Sequence, residues 1–101
     1  MDIREDKSGD TTTYRLGGRF TFADHAAFRT ILGAVGGGGA RQVVLDLGQL
    51  EFIDSAGMGM LLLGNDTAAK AGVALVLKGA QGQVQRLFVG QKFSAVFRIE
   101  D

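Results

Sequence analysis

Residues 43–59 read VVLDLGQLEFIDSAGMG, and this stretch decides the fold class. Its first part, Val43 to Leu47, is a short apolar run typical of a strand covered on both faces, so we place it at the centre of a sheet. A short loop over residues 49–53 leads from this strand to Ser55, where a helix opens and continues to Gly72. A strand followed by a helix is the unit from which parallel sheets are built.

Upstream of this unit, the chain predicts two strands and a helix. Apolar and polar residues alternate over residues 11–16, the period of a half-buried strand, and residues 1–8 supply its antiparallel partner. Asp24 is a good N-cap residue for a helix over residues 25–35, whose apolar residues recur at helical spacing. The four glycines at 36–39 end this helix and form a plain connector.

Downstream, the alternation of strand and helix continues to the end of the chain. Residues 73–77 repeat the strand pattern, residues 84–88 carry a third helical stripe, and residues 96–99 predict a last strand. Two opening strands followed by three such alternations predict a single α/β domain over residues 1–101. Its sheet is mixed, with an antiparallel N-terminal pair and a parallel βαβ part, and its helices pack mainly on one face.

Composition excludes several classes of function. The chain has 101 residues, 11 basic and 11 acidic, and no cluster of Lys or Arg, so the electrostatic footprint of a nucleic-acid-binding protein is absent. It has no cysteine, and its one histidine and scattered carboxylates form no pattern of metal ligands. The apolar runs are too short to span a bilayer. We therefore expect a cytoplasmic protein without a membrane segment, metal or cofactor of its own.

The start of the predicted helix at Ser55 allows two interpretations. In one, Asp54 or Ser55 is a helix N-cap, a common role worth about 1 kcal/mol. In the other, Ser55 carries a phosphate, which would face the free backbone amides and the positive end of the helix dipole, while Gly57 and Gly59 keep the backbone accessible. Position alone favours the cap, because capping is the commoner role of such a residue.

The stretch VVLDL, followed by Leu50 and by FIDSAGMG over residues 52–59, resembles the signature of STAS domains, in particular the single-domain anti-sigma factor antagonists. The resemblance implies that Ser55 is phosphorylated by a partner kinase that is also the anti-sigma factor. It implies a GHKL-type serine kinase and a serine phosphatase as partners. One departure is that residues 19–22, Arg-Phe-Thr-Phe, precede Asp24, whereas many antagonists carry an acidic residue soon after the position of Gly18.

A helical wheel over residues 55–71 predicts the partner surface. It turns Met58, Leu61 and Leu62 toward the sheet and leaves Gly59, Met60 and Leu63 near the polar side, as exposed apolar surface next to Ser55. The expected partner-binding residues are Asp24, Asp54, Ser55, Ala56, Gly57, Met58, Gly59, Met60 and Leu63.

Three other functions remain as alternatives. A hydrolase with Ser55 as nucleophile and His25 as base lacks the Gly-x-Ser-x-Gly elbow. A receiver-like domain would accept phosphate on Asp46 or Asp54 with Lys78 as charge partner, but it lacks the acidic pair that holds Mg²⁺. A constitutive STAS adaptor of a larger assembly, such as a transporter, would use Ser55 only as a helix cap.

Overall fold

The computed structural model describes residues 1–37 and 39–100, in which the strands follow one another across the sheet in sequence order. The elements are β1 (Asp2–Ser8), β2 (Thr11–Phe20), α1 (His25–Gly37), β3 (Gln42–Ile53), α2 (Ser55–Ala71), β4 (Ala74–Lys78), α3 (Gly82–Gly90) and β5 (Arg98–Glu100). Short 3-10 turns, Phe22–Asp24 and Phe93–Ala95, precede α1 and β5.

The topology confirms the predicted fold class. β1 pairs antiparallel with β2, and β2, β3, β4 and β5 then pair parallel in that order. Because the strand order never reverses, right-handed crossovers bring all three helices to the same face of the sheet. Residues of α1, α2 and α3 accordingly join one core cluster with the strands, represented by Phe28, Leu61, Val84, Leu45 and Leu77.

The central strand is covered on one face only. Along β3, Val43, Leu45 and Leu47 are fully buried under the helices, whereas Val44 and Asp46 between them are only half-buried on the other face. The prediction of a strand covered on both faces is therefore wrong. The opposite face is not covered by α1, α2 or α3, because every crossover helix lies on the same side, although Val76 of β4 is fully buried beside Val44 there.

Two strands are longer than their sequence patterns indicated. β2 continues to Phe20 and β3 to Ile53, so the loop expected over residues 49–53 is strand. The β2–β3 pairing contains two register shifts, after Arg15 and after Gly18. These shifts break the two-residue alternation: Leu50 and Ile53 are both buried although they are three residues apart. A pattern search based on strict alternation misses such a strand.

The ends of two other elements also differ from the prediction. α1 runs to Gly37 rather than ending at residue 35, and Gly38 of the expected glycine connector lies outside the described residues. β5 begins at Arg98, so Val96 precedes the strand and is exposed. In the described part of the chain, no helix combines the length and apolar character needed to cross a bilayer.

Candidate functional site

Ser55 is the first residue of α2 and is exposed, directly after the end of β3. The residue before it, Asp54, has extended backbone and is the N-cap: its Oδ1 accepts a hydrogen bond from the Gly57 amide at 2.8 Å. Of the two capping candidates in the sequence, Asp54 takes the role. Because Asp54 satisfies this free amide, the Ser55 hydroxyl is not required for the cap.

Asp54 also links α2 to the turn that precedes α1. Its Oδ2 accepts a hydrogen bond from the Phe22 amide at 3.3 Å, and its own amide donates to the Phe20 carbonyl at 3.2 Å. Phe22 is 73% exposed, an unusual position for a large aromatic side chain. Phe22 was not among the residues expected at the site. The available signal was an aromatic residue in a short connection between a strand and a helix.

Both carboxylate oxygens of Asp24, which is half-buried, accept hydrogen bonds from within the chain. Its Oδ2 accepts a hydrogen bond from the Thr21 amide at 2.8 Å, and its Oδ1 accepts one from the Met1 amino group at 2.9 Å. Burial by itself raises the pKa of Asp24, but the Thr21 amide and the charged Met1 amino group outweigh it and hold the pKa of this carboxyl below its usual range. Asp24 thus fixes the turn that presents Phe22.

The prediction that Asp24 is the N-cap of the helix α1 is also wrong. Asp24 is the third residue of the 3-10 turn, and Thr21 is the cap: its hydroxyl accepts a hydrogen bond from the Ala23 amide while Asp24 bonds back to the Thr21 amide. This reciprocal pair is a capping box. The 3-10 turn runs directly into α1, so the helical segment is capped three residues earlier than the sequence pattern indicated.

Gly57 is buried where the first turn of α2 crosses the ends of β2 and β3. A Cβ atom at this position would lie 2.6 Å from the Phe20 carbonyl oxygen and 2.7 Å from Ile53 Cγ1. Any side chain here would collide with backbone and core together. Gly57 therefore brings the N-terminus of α2, and with it Ser55, close against the sheet.

The outer face of α2 carries an apolar strip next to Ser55, formed by Gly59, Leu62 and Leu63. All three are exposed, with Leu62 at 43% and Leu63 at 49%. Gly59 and Leu63 are exposed as predicted. The predictions for Met60, which is 8% exposed and belongs to the core, and for Leu62, which is exposed, are wrong. Ala56 and Met58 are half-buried at the flanks of the helix.

The buried face of α2 was predicted wrongly because two of its glycines lie on that face. The buried residues of α2 are Gly57, Met60, Leu61, Gly64 and Ala68. A Cβ on Gly64 would come into ordinary contact, 3.5 Å, with Phe28 of α1. A hydrophobicity pattern gives no weight to glycine, so it places the buried face too far toward the larger side chains.

We expect Asp54→Ala to destabilise the fold more than Ser55→Ala does. Loss of the Asp54 carboxylate removes the cap and the bond to Phe22, at a cost of about 1–2 kcal/mol. Ser55→Ala removes a hydroxyl that does not form the cap, so its cost stays below about 0.5 kcal/mol. Denaturant unfolding of both variants measures the difference. A larger loss for Ser55→Ala would contradict the assignment of the cap to Asp54.

The residues of the alternative sites lie elsewhere. Asp46 faces the open side of the sheet, where its Oδ1 accepts a hydrogen bond from Gly48 and its Oδ2 lies 3.8 Å from Arg15 Nε. Lys78 is beside Asp46 in the β3–β4 register and is exposed. His25 is exposed at the start of α1. Within residues 1–37 and 39–100, no three His, Asp or Glu side chains are grouped to hold a metal ion.

The receiver alternative does not agree with the observed topology. A doubly wound receiver has helices on both faces of a parallel sheet whose strand order reverses. Here the order is sequential, the first strand pair is antiparallel, and α1, α2 and α3 pack in one core on one face. Asp46 and Lys78 therefore lie on the side of the sheet opposite the helices, in a sheet whose strand order has no topological switch point.

Comparison with known structures places this fold among STAS proteins. An anti-sigma factor antagonist from Mycobacterium paratuberculosis matches with a TM-score of 0.84 and 18% identity, over 98% of this chain and 84% of that chain. The antagonist SpoIIAA in its unphosphorylated form matches at 0.78 and 18%, over 99% and 88%. A sulfate transporter family protein from Wolinella succinogenes matches at 0.77 and 21%, over 91% and 77%.

Sequence comparison assigns the family. A STAS-domain containing protein of Pseudomonas aeruginosa is 32% identical over 91 residues, which are 90% of this chain and 89% of that protein. The family model described as "Mlab, STAS domain" matches residues 3–95. The match runs from the second residue of β1 through α3 and includes the complete Asp54–Leu63 region. The chain belongs to the STAS domain family.

Proposed function

We propose that this protein is an anti-sigma factor antagonist that works as a phosphorylation-controlled binding switch. With Ser55 unmodified, it binds a GHKL-type serine kinase that is also the anti-sigma factor, and so frees what that partner holds. With Ser55 phosphorylated, it lets the partner go. A serine phosphatase resets the switch, and the chain acts by binding rather than by catalysis.

The observation that carries this proposal is the position of Ser55. It is exposed at the first residue of α2, the capping role belongs to Asp54, and the apolar strip of Gly59, Leu62 and Leu63 continues along the same outer face. An accessible hydroxyl is what a kinase needs. An exposed apolar area beside it is what a protein partner covers.

Phosphorylation would act on the interface and leave the fold intact. A phosphate on Ser55 would lie near the amides and the positive dipole end of α2, which favour negative charge. It would also place nearly two negative charges beside the Asp54 carboxylate and the apolar strip. A partner that covers this face would have to bury that charge without a matched cation, which weakens binding.

The exposed Phe22 extends the proposed contact surface. Its amide is bonded to the Asp54 carboxylate, so the exposed aromatic ring belongs to a turn that touches the site. Asp24 supports this surface from within by holding the same turn. Buried aromatic anchors dominate the binding energy of many interfaces, and Phe22 offers one here.

The structural likeness to SpoIIAA supports a switch controlled by phosphorylation, because that protein was solved in an unphosphorylated and in a phosphorylated form. The likeness to the sulfate transporter family protein supports the second candidate, a constitutive STAS adaptor of a larger assembly. In an adaptor, Ser55 would remain unmodified. The two functions therefore differ in whether Ser55 accepts phosphate.

A phosphorylation assay tests the proposal. Incubated with its cognate kinase and ATP, the chain should gain one phosphate that survives acid, as phosphoserine does. Ser55→Ala should abolish the labelling, and Ser94→Ala, which removes another exposed serine, should keep it. Mass spectrometry locates the group. An acid-labile phosphate on Asp46 or Asp54, or no phosphate at all, would contradict the switch.

A further inference from the structure

The end of β3 has a free edge just before the site. β4 pairs with β3 from Gln42 to Asp46 only, whereas β3 continues to Ile53. On its other side β3 remains paired with β2 up to Ile53. The backbone N–H and C=O groups of residues 47–53 that point away from β2 therefore have no β4 residue opposite them. Where such groups are buried or half-buried, they need hydrogen-bond partners from elsewhere in the chain.

Gln83, near the start of α3, supplies such a partner at Ile53. Its Oε1 accepts a hydrogen bond from the Ile53 amide at 3.0 Å, and its Nε2 donates to the Ile53 carbonyl at 2.8 Å. A carboxamide has the same donor and acceptor as a peptide group, so one side chain replaces the contact that a neighbouring strand would make. Gln81 similarly donates to the Gly48 carbonyl farther back along β3.

Ile53 connects the two hydrogen bonds from Gln83 to Ser55. It directly precedes the cap residue Asp54, its side chain is fully buried, and it forms part of the floor against which Gly57 packs. A shift of the Ile53 peptide groups would thus shift the first turn of α2. The two bonds from Gln83 define the orientation of the chain as it leaves β3 and enters the helix.

We propose that Gln83 is a positioning residue for Ser55: its side-chain amide holds both peptide groups of Ile53 and thereby aims the Ser55 hydroxyl outward from the start of α2. The inference deepens the proposed function and rests on it for the role of Ser55. Burial of Ile53 and the bond from the Asp54 amide to Phe20 keep the strand in place without Gln83. Loss of Gln83 therefore loosens the turn rather than the fold.

The first test uses the free protein and Gln83→Met, which keeps the length of the side chain and removes both bonds. Hydrogen exchange of the Ile53 amide should become about tenfold faster, and the NMR signal of the Ser55 amide should move. Gln81→Met is the matched control, because it removes the neighbouring bond to Gly48 and should leave Ser55 unchanged. Unchanged exchange at Ile53, or an equal effect of Gln81→Met on Ser55, would overturn the inference.

Gln83→Glu should produce a pH-dependent change in the NMR signal of Ser55 that a general loss of packing would not produce. A protonated carboxyl group can accept from the Ile53 amide and donate to the Ile53 carbonyl, whereas a carboxylate can only accept. Because only the protonated form makes both hydrogen bonds, they raise the folded-state pKa of the introduced carboxyl group. The pair of hydrogen bonds to Ile53 is therefore present at low pH and is lost as the pH rises.

The Ser55 amide signal of Gln83→Glu should therefore approach that of wild type between about pH 7 and pH 4. The acidic residues Asp54 and Glu51 stand near Ile53 in the chain of every variant, so the difference from wild type at each pH is the quantity to compare. Gln83→Met should keep a constant difference. The absence of recovery in Gln83→Glu would overturn the bidentate role.

Kinase kinetics connect the geometry to function. Because the apolar strip and Phe22 are unchanged in Gln83→Met, KM should stay near that of wild type, while kcat for phosphorylation of Ser55 should fall about tenfold through misalignment of the hydroxyl. A change in KM alone would overturn the positioning role. If wild-type Ser55 accepts no phosphate while the exchange and NMR results hold, the proposed function fails and the structural role of Gln83 stands.

Discussion

Ser55→Asp is expected to bind the kinase at least about a hundredfold more weakly than wild type while it folds normally. The new carboxylate stands at the start of α2, where the helix dipole and free amides tolerate negative charge. In the complex it would be covered together with the apolar strip. Each 1.4 kcal/mol of uncompensated desolvation weakens binding about tenfold, and a buried unpaired charge costs several kcal/mol.

Isothermal titration of the purified kinase measures this difference, and the thermal midpoint of the variant should stay within a few degrees of wild type. Ser94→Asp is the matched control, since Ser94 is exposed in the 3-10 turn before β5 and its replacement introduces the same charge outside the Asp54–Leu63 region. Equal dissociation constants for wild type and Ser55→Asp would place Ser55 outside the interface. The constitutive adaptor would then be the better description.

Gly57→Ala is expected to cause the largest loss of stability of any single methyl group added to α2. The new Cβ would lie 2.6 Å from the Phe20 carbonyl oxygen and 2.7 Å from Ile53, and neither backbone nor a fully buried side chain can yield cheaply. The helix start must move away from the sheet. We expect a loss of about 2–4 kcal/mol and a drop in the thermal midpoint of about 10 °C or more.

Gly59→Ala provides the control two residues along the same helix. A Cβ at Gly59 meets no atom within 4 Å, and alanine favours the helix over glycine by about 0.5–1 kcal/mol, so this variant should be slightly more stable than wild type. Thermal and denaturant unfolding compare the two. Equal stability of Gly57→Ala and Gly59→Ala would show that the close approach of α2 to the sheet is not required.

The local pattern of apolar and polar residues was sufficient to predict the order of the strands and helices and the position of Ser55 at the start of a helix. The apolar run at Val43–Leu47 and the small residues after Ser55 predict a strand followed by a helix, and β3 and α2 are found there. Such predictions succeed because the period of side chains along a strand or helix is a property of the backbone itself. The sequence also restricted the N-cap to two adjacent residues.

Sequence patterns failed to predict which side chains are buried where burial depends on how one element packs against another. Met60 and Leu62 are both apolar and two positions apart, yet one is buried and the other exposed. The choice between them depends on the rotation of α2, in which Gly57 lies too close to Phe20 and Ile53 for a side chain and Gly64 faces Phe28. Glycines carry no hydrophobic signal, so the rotation could not be inferred from the helix alone.

The mixed sheet, its helices on one face and a serine at the start of α2 could all be predicted from residue patterns. The cap by Asp54, the hydrogen bonds to Asp24 and the contact of Gln83 with Ile53 depend on how the elements pack together. Gln83 and Ile53 are 30 residues apart in the chain. Hydrogen bonds over such separations form only after the strands and helices have packed, and no local period of the sequence records them.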